Sequence, residues 1–369
     1  MNVPMSAAVN DPRFEPACAV LRQAIAERAF PGCAFGVYAG GQTVLLDALG
    51  QFTYAADAPQ VQASTVYDLA SVSKVVSTTA MAMLLYQRGL LDVDAPLGSI
   101  LPEFVAGRPP EALERTVTLR HLLAHNSGLP GYVEFFKTAK SGDELLADCM
   151  RLQLQAAPGA RYEYSDPGFI LLGKALETLA GLDQKTFFER EIAAPLGLKS
   201  ACFTPAVAER KKIPPTEIDT WFRHKLVQGE VQDENAWLLG GVCGHAGLFA
   251  NVHDLLRFSE EILAALRPGA EARLFSVETM RLFATRQAPS GSSRALGWDT
   301  PSITGSSSGC CFSADSIGHL GYSGCSLWID LQAELAIVLL TNRTWPDRGV
   351  QKIKQIRPVF HNAVRKILL

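Results

Sequence analysis

The sequence predicts an α+β fold, in which an antiparallel sheet flanked by amino- and carboxy-terminal helices stands beside a mostly helical portion. Three observations carry that reading. Strand-like apolar runs occur near both ends of the 369-residue chain, neighbouring runs are joined by tight turns, and the long middle carries helical periodicity.

Taken in order, residues 13–29 place apolar side chains at helical spacing and stop before Phe30-Pro31-Gly32. CAFGVYAGG and QTVLLDALG follow as two strands, with Gly40-Gly41 as the hairpin signal. Residues 71–88, SVSKVVSTTAMAMLLYQR, read as one long apolar helix stopped by Gly89. Shorter helices are expected from Thr118 to Asn126, over 143–154 and over 166–181, the last closed by Gly181. Residues 200–250 are irregular, broken by Pro205, Pro214, Pro215 and a GGVCGHAG stretch. VHDLLRFSEEILAAL, from Val252, is an amphipathic helix, and the Ser- and Gly-rich residues 287–316 are loop. CSLWIDL and LAIVLLTN pair as strands around Gln332-Ala333, and QKIKQIRPVFHNAVRKIL closes the chain as a helix kinked near Pro358.

Composition excludes several classes of function. With 34 Lys and Arg against 37 Asp and Glu, the net charge of −3 lacks the basic excess of a nucleic-acid binder. No apolar run approaches the ~18 residues of a bilayer span. MNVPMSAAVNDPRFEP has neither the basic nor the apolar region of a secretion signal, so a cytoplasmic location is expected. Eight cysteines without a C-x-x-C pair read as reduced thiols, not as a zinc ribbon or a disulfide scaffold. His245, with Asp233-Glu234 nearby, lacks an i, i+4 histidine pair, so neither a metal nor a cofactor is expected.

Three patches carry chemistry. Ser71-Val72-Ser73-Lys74 opens an apolar helix, and positions three apart share a helix face, so Lys74 reaches the Ser71 hydroxyl. A serine becomes nucleophilic when a base takes its proton, and a buried lysine can be that base. Lys74 is also the one charge within residues 69–87, which a solvated lysine would not explain. The second patch, PGARYEYSD, delivers Tyr164 and Asp166 just before a helix. Tyr164 can pass a proton, and Asp166 can cap that helix. The third is Gly318-His319-Leu320-Gly321-Tyr322-Ser323-Gly324, ahead of the strand CSLWID, where glycines let backbone N–H groups approach a ligand. A rival motif, Gly305-Ser306-Ser307-Ser308-Gly309, matches G-x-S-x-G but lacks the strand before it and the helix after it.

The three patches in this order, with VYDLASVSK, LLAHNSGLP, YSDPGFILLGKALE and GHLGYSGCSLWID, resemble the serine β-lactamase-like superfamily. That group includes class C β-lactamases, D,D-peptidases and family VIII carboxylesterases. The resemblance runs from about residue 17 to the end. It implies one catalytic domain over 1–369, with an α/β part from 13–60 and 290–369 and a helical part from 61–289. Ser71 and Lys74 then stand at the S-x-x-K positions, Tyr164 at the tyrosine of Y-x-N, and His319, Leu320 and Gly321 at the K-T-G or H-x-G motif. The backbone N–H groups of Ser71 and Tyr322 would form the oxyanion hole, and Asp166, His319, Leu320 and Gly321 would contact substrate.

Three departures from the family pattern direct the functional expectation. Asp166 replaces asparagine and favours a protonated Lys74, which shifts the base role towards Tyr164. His319 and Leu320 replace a lysine and a threonine that would bind a substrate carboxylate. The expectation is therefore a serine hydrolase working through an acyl-enzyme on small neutral esters. A D-alanyl-D-alanine carboxypeptidase or penicillin-binding protein, a β-lactamase, and a non-catalytic binding protein on the same fold are the alternatives. Lowering the pH from 8 to 6 is expected to narrow the preference for neutral esters over anionic substrates if His319 gains a proton and attracts their carboxylate. The partner is a small ester or amide substrate, and the sequence leaves the oligomeric state open.

Overall fold

The structure, a computed structural model, describes Val9 and residues 11–369. The amino-terminal stretch read above for a secretion signal lies mostly outside the described residues. Helix α1 (Glu15–Ala26) leads into strands β1 (Gly32–Ala39) and β2 (Gln42–Gly50). Gly40 and Gly41 join them at φ of 59° and 84°, backbone that side-chain-bearing residues rarely adopt.

The middle of the chain is helical. It contains α2 (Ala80–Gln87), α3 (Leu119–Leu123), α4 (Asp166–Ala180) and α5 (Val252–Ala264). Strands β3 (Ile317–Leu320), β4 (Ser326–Asp330) and β5 (Leu335–Thr341) follow, and α6 (Ile353–Leu368) closes the chain. The five strands form one antiparallel sheet in the order β2-β1-β5-β4-β3. The two ends of the sequence thus meet at its centre, where Phe35 pairs with Leu339 and Val37 with Ile337.

Two-residue alternation sends the side chains of these strands to opposite faces. Phe35, Val37, Ile337 and Leu339 pack under α1 and α6 with Phe14, Leu21, Phe360 and Val364. Ala34, Ala336, Val338 and Leu340 belong to the larger core shared with the helices. Helix α5, which the sequence places among the helical residues 61–289, lies directly on the sheet. Val252 and Leu256 approach Gly36 so closely that a Cβ there would overlap both.

Two local expectations need correction. Residues 71–88 are not one regular helix: a 3-10 turn (Ala70–Val72) and a wide π turn (Lys74–Thr79) precede α2. The wide turn carries buried polar groups to partners outside the helix. Thr78 Oγ1 donates to the Gly244 carbonyl at 2.7 Å, and the Gln184 amide donates to Ser77 Oγ and Thr78 Oγ1. Residues 317–320, read as an approach to a strand, form strand β3 itself. Its Gly318 lies opposite Trp328, whose ring fills the space a Cβ would need. Helix α6 runs through Pro358 without a break.

The rival serine sits in irregular backbone. The Ser307 carbonyl accepts from His361 Nδ1 at 2.9 Å, and no strand-to-helix elbow surrounds it. No helix of the described residues is long and apolar enough to cross a membrane.

Candidate active site

The backbone bends sharply before Ser71. Ala70 has φ of 47°, a left-handed conformation costly for a residue with a Cβ. The buried Asp68 holds that bend. Its Oδ1 accepts the Ala70 N–H at 2.8 Å, and its Oδ2 accepts the Gln232 N–H at 2.7 Å. Burial pushes the Asp68 carboxyl up to about 6. The bend leaves Ser71 second in a helical turn, a position whose N–H has no partner within the turn.

Lys74 is completely buried and its three donors have three acceptors. Nζ lies 3.0 Å from Ser71 Oγ, 2.7 Å from Asp166 Oδ1 and 3.0 Å from the His245 carbonyl. Burial opposes the ammonium, but the Asp166 carboxylate and the Tyr164 phenol outweigh it, and the pKa is raised. The resting lysine is therefore charged, as Asp166 led the sequence reading to expect.

Asp166 does not cap its helix. Ser165 is the cap, accepting the Gly168 N–H at 3.0 Å, and this frees the Asp166 carboxylate for Lys74. The Tyr164 ring stands 4.8 Å from Lys74 Nζ and 4.5 Å from the His125 ring. Burial raises the pKa of its phenol, and the adjacent Lys74 offsets this only in part. Lys74 and Ser71 are its polar neighbours, and both act to lower that pKa. The three groups thus form one proton-sharing cluster, with a lysinium and a neutral phenol at rest.

His319 is buried on β3, with its ring 5.9 Å from that of Tyr164. Its Nδ1 faces the Leu320 carbonyl at 2.8 Å and must donate to it, which leaves Nε2 bare and unpartnered. Burial, then the Lys74 and Arg294 cations, hold its pKa well below the ordinary value. Burial thus disfavours the proton on His319 that a change of preference between pH 8 and 6 would require. Leu320 follows it as the last residue of β3.

Gly321 is required by packing, since a Cβ there would fall 2.4 Å from the Leu69 carbonyl oxygen. That contact docks the β3–β4 turn on the segment before Ser71. Ser323 Oγ reinforces it by donating to the Asp68 carbonyl at 2.8 Å. Among the described residues, the Tyr322 N–H has no acceptor.

These groups open on a cavity of about 540 Å³ that Ser71, Tyr164, Asp166 and Tyr322 line. His319, Leu320 and Gly321 lie behind that lining. Tyr132, Gln232, Asp233, Glu234 and Arg348 line the same cavity, and the sequence assigned none of them to the site. Arg348 Nη2 pairs with Glu234 Oε1 at 2.8 Å, and its Nε donates to Glu217 Oε2 at 2.9 Å. Asp233 Oδ1 lies 2.7 Å from His245 Nε2, and His245 Nδ1 lies 3.1 Å from Cys243 Sγ. Burial opposes charge on this histidine, but the facing sulfur and carboxylate raise its pKa well above the usual range. Both ring nitrogens are engaged, so neither is open to a metal. The weak signal for these lining residues was the pair of acidic residues at 233–234 beside an irregular, Gly-rich stretch.

The chain resembles known proteins over most of its length. The family model described as Beta-lactamase matches residues 19–358. A protein of Escherichia coli K12 named "Putative D-alanyl-D-alanine carboxypeptidase" is 30% identical over 308 residues, covering 76% of this chain and 69% of that protein. Among solved structures, EstCE1, titled a hydrolase with promiscuous acyltransferase activity, superposes with a TM-score of 0.75 at 21% identity. It covers 95% of this chain and 98% of its own. A penicillin-binding protein homologue from Caulobacter crescentus superposes with a TM-score of 0.76 at 17% identity, covering 98% of this chain and 99% of its own.

Proposed function

The chain belongs to the beta-lactamase family of serine hydrolases, and on that premise we propose that it is a carboxylesterase for small neutral acyl esters. Ser71 is the nucleophile of this reading. The observation that carries it is the state of the cations around the cavity. Lys74 is neutralised by Asp166 and Arg348 by Glu217 and Glu234, while His319 is neutral. None of these three is left over for a substrate carboxylate, and a carboxylate buried without fixed charge or donors is strongly disfavoured.

The reaction begins when the Lys74–Tyr164 pair loses one proton, leaving a phenolate beside an ammonium. The phenolate takes the Ser71 proton as Oγ attacks the ester carbonyl. The tetrahedral oxyanion receives the N–H groups of Ser71 and Tyr322, and the proton passes from Tyr164 to the departing alkoxide. Water then follows the same route in reverse: Tyr164 takes its proton, hydroxide attacks the acyl carbonyl, and Ser71 Oγ recovers the proton.

A second reading, a D,D-carboxypeptidase, is favoured by the name of the curated relatives. It would need a cation to hold the terminal carboxylate. Arg294, 5.2 Å over the Tyr164 ring and 3.8 Å from Asp299, is the group available.

The test sets p-nitrophenyl butyrate, nitrocefin and a D-Ala-D-Ala peptide side by side, with fluorophosphonate labelling of wild type and Ser71→Ala. Labelling and butyrate turnover that vanish together in the variant, by ~10⁴-fold or more, are expected. Preferred turnover of the peptide establishes the second reading. A wild type that neither labels nor turns over any of the three is a binding protein on this fold.

A further inference from the structure

The turn joining β3 to β4 has every carbonyl from Gly321 to Cys325 occupied, largely by two buried guanidinium groups. Arg357, on α6, reaches the Gly321 and Cys325 oxygens from Nη2 at 2.7 Å each and the Gly324 oxygen from Nε at 3.2 Å. Arg343, just past β5, donates from Nε to the Tyr322 oxygen at 2.7 Å. The Ser323 oxygen accepts the Arg343 N–H at 2.9 Å and Thr341 Oγ1 at 3.1 Å.

Neither arginine has a carboxylate in reach among the described residues. Burial lowers the Arg357 pKa to about 10, and the Arg343 charge nearby adds to this, so the group remains a cation at neutral pH. A buried cation without a counterion is costly, and an apolar side chain could pack the same helix more cheaply. The charge itself calls for an explanation.

The peptide between residues 321 and 322 supplies one. Its oxygen is the Gly321 carbonyl that Arg357 binds, and its N–H, without an acceptor among the described residues, belongs to Tyr322, which lines the cavity together with Ser71. The two ends of a planar peptide are conjugated, so a cation on the oxygen draws electron density from the nitrogen and strengthens the N–H as a donor. We propose that Arg357 is a positioning residue for the hydrolase reaction. It fixes the β3–β4 turn and polarises one of the two peptides whose N–H groups meet the developing oxyanion. This rests on the reading of Tyr322 as an oxyanion donor.

Such help acts where negative charge appears, in the transition state and not in the bound ester. Arg357→Met and Arg357→Lys are compared with wild type on p-nitrophenyl butyrate, with kcat taken per site titrated by fluorophosphonate. The expected result for Arg357→Met is a kcat lower by ~10- to 100-fold with KM within about twofold, and most of the loss recovered in Arg357→Lys. Selective ¹⁵N-tyrosine labelling supplies a readout independent of turnover. The Tyr322 amide resonance should move upfield in Arg357→Met and return towards its native position in Arg357→Lys. An unchanged Tyr322 amide, an unchanged kcat per titrated site, or a lysine variant as impaired as the methionine one overturns the proposal. Should Arg357→Met fail to fold, Arg357→Lys alone decides, since a retained charge must retain most of kcat and of the amide shift. If wild type shows no turnover, the functional reading falls while the amide shift still judges the role of Arg357.

Discussion

Lys74 Nζ and Asp166 Oδ1 stand 2.7 Å apart, the lysine fully buried and the carboxylate part-buried at the edge of the cavity. The pair ties the helical segment that carries the nucleophile to the start of α4. It also sets the protonation state of the site, because a carboxylate at that distance favours the ammonium and disfavours ionisation of the neighbouring phenol.

That relationship predicts the pH dependence of Asp166→Asn. Asp166 raises the pKa of both Lys74 and Tyr164. Neutralising it lowers both, so the deprotonated form of the pair is populated at lower pH. The acid limb of kcat/KM for butyrate hydrolysis should shift to lower pH in the variant. A limb that stays in place or moves upward would show that Asp166 does not control the base.

Lys74→Ala and Tyr164→Phe each remove one member of the proton-sharing cluster. Both should depress acylation severely, and their effects should not add, because the second loss removes what the first already disabled. The check is a double-mutant cycle on the acylation rate. Strictly additive losses would mean that one of the two only packs.

Substrate charge should matter and pH should not change its effect. Neutral p-nitrophenyl butyrate is expected to exceed nitrocefin in kcat/KM by ~10² or more. Because His319 is held neutral, that ratio should stay level between pH 8 and pH 6. A ratio that narrows on acidification would show His319 gaining a proton and attracting the anion.

The Asp233–His245 pair predicts a stability plateau. His245 has a raised pKa, so its contribution is complete below the ordinary histidine value and is lost as pH rises through the raised one. Asp233 is held down to about 2: burial pushes its pKa up, and the His245 charge and hydrogen bond more than offset that. Its contribution is complete above the ordinary carboxylate value and is lost as pH falls towards 2. The pair therefore contributes most between ~4 and ~6.5. Within that window His245→Ala should cost about 1–3 kcal/mol, since it removes the partner of a part-buried carboxylate that lines the cavity. Chemical denaturation of wild type and variant at pH 5.5 measures it, and a cost below 1 kcal/mol would remove the pair as a stabilising element.

The sequence by itself determined what depends on neighbours along the chain. Ser71 and Lys74 are three positions apart, so local geometry alone brings Nζ to the hydroxyl, at 3.0 Å. Gly40-Gly41 dictates a hairpin, and Gly181 ends α4 in a left-handed conformation as its position requires. Tertiary structure alone decided the rest. Asp166 lies 92 positions from Lys74 and the His245 carbonyl 171 positions away, and no periodicity encodes such separations. Arg348, Glu234 and Asp233 line the cavity through contacts between segments distant in the chain, as the Arg348–Glu234 pair shows. Their residue types are equally at home on a solvated surface. Strand β3 has only four residues and an interior glycine, too little to show an alternating pattern, and it exists because β4 offers an edge to pair with. The positive φ at Ala70 is likewise invisible locally. An alanine has no preference for that conformation, and it is held there by the Asp68 carboxylate once the Gln232 backbone and the β3–β4 turn have closed around it.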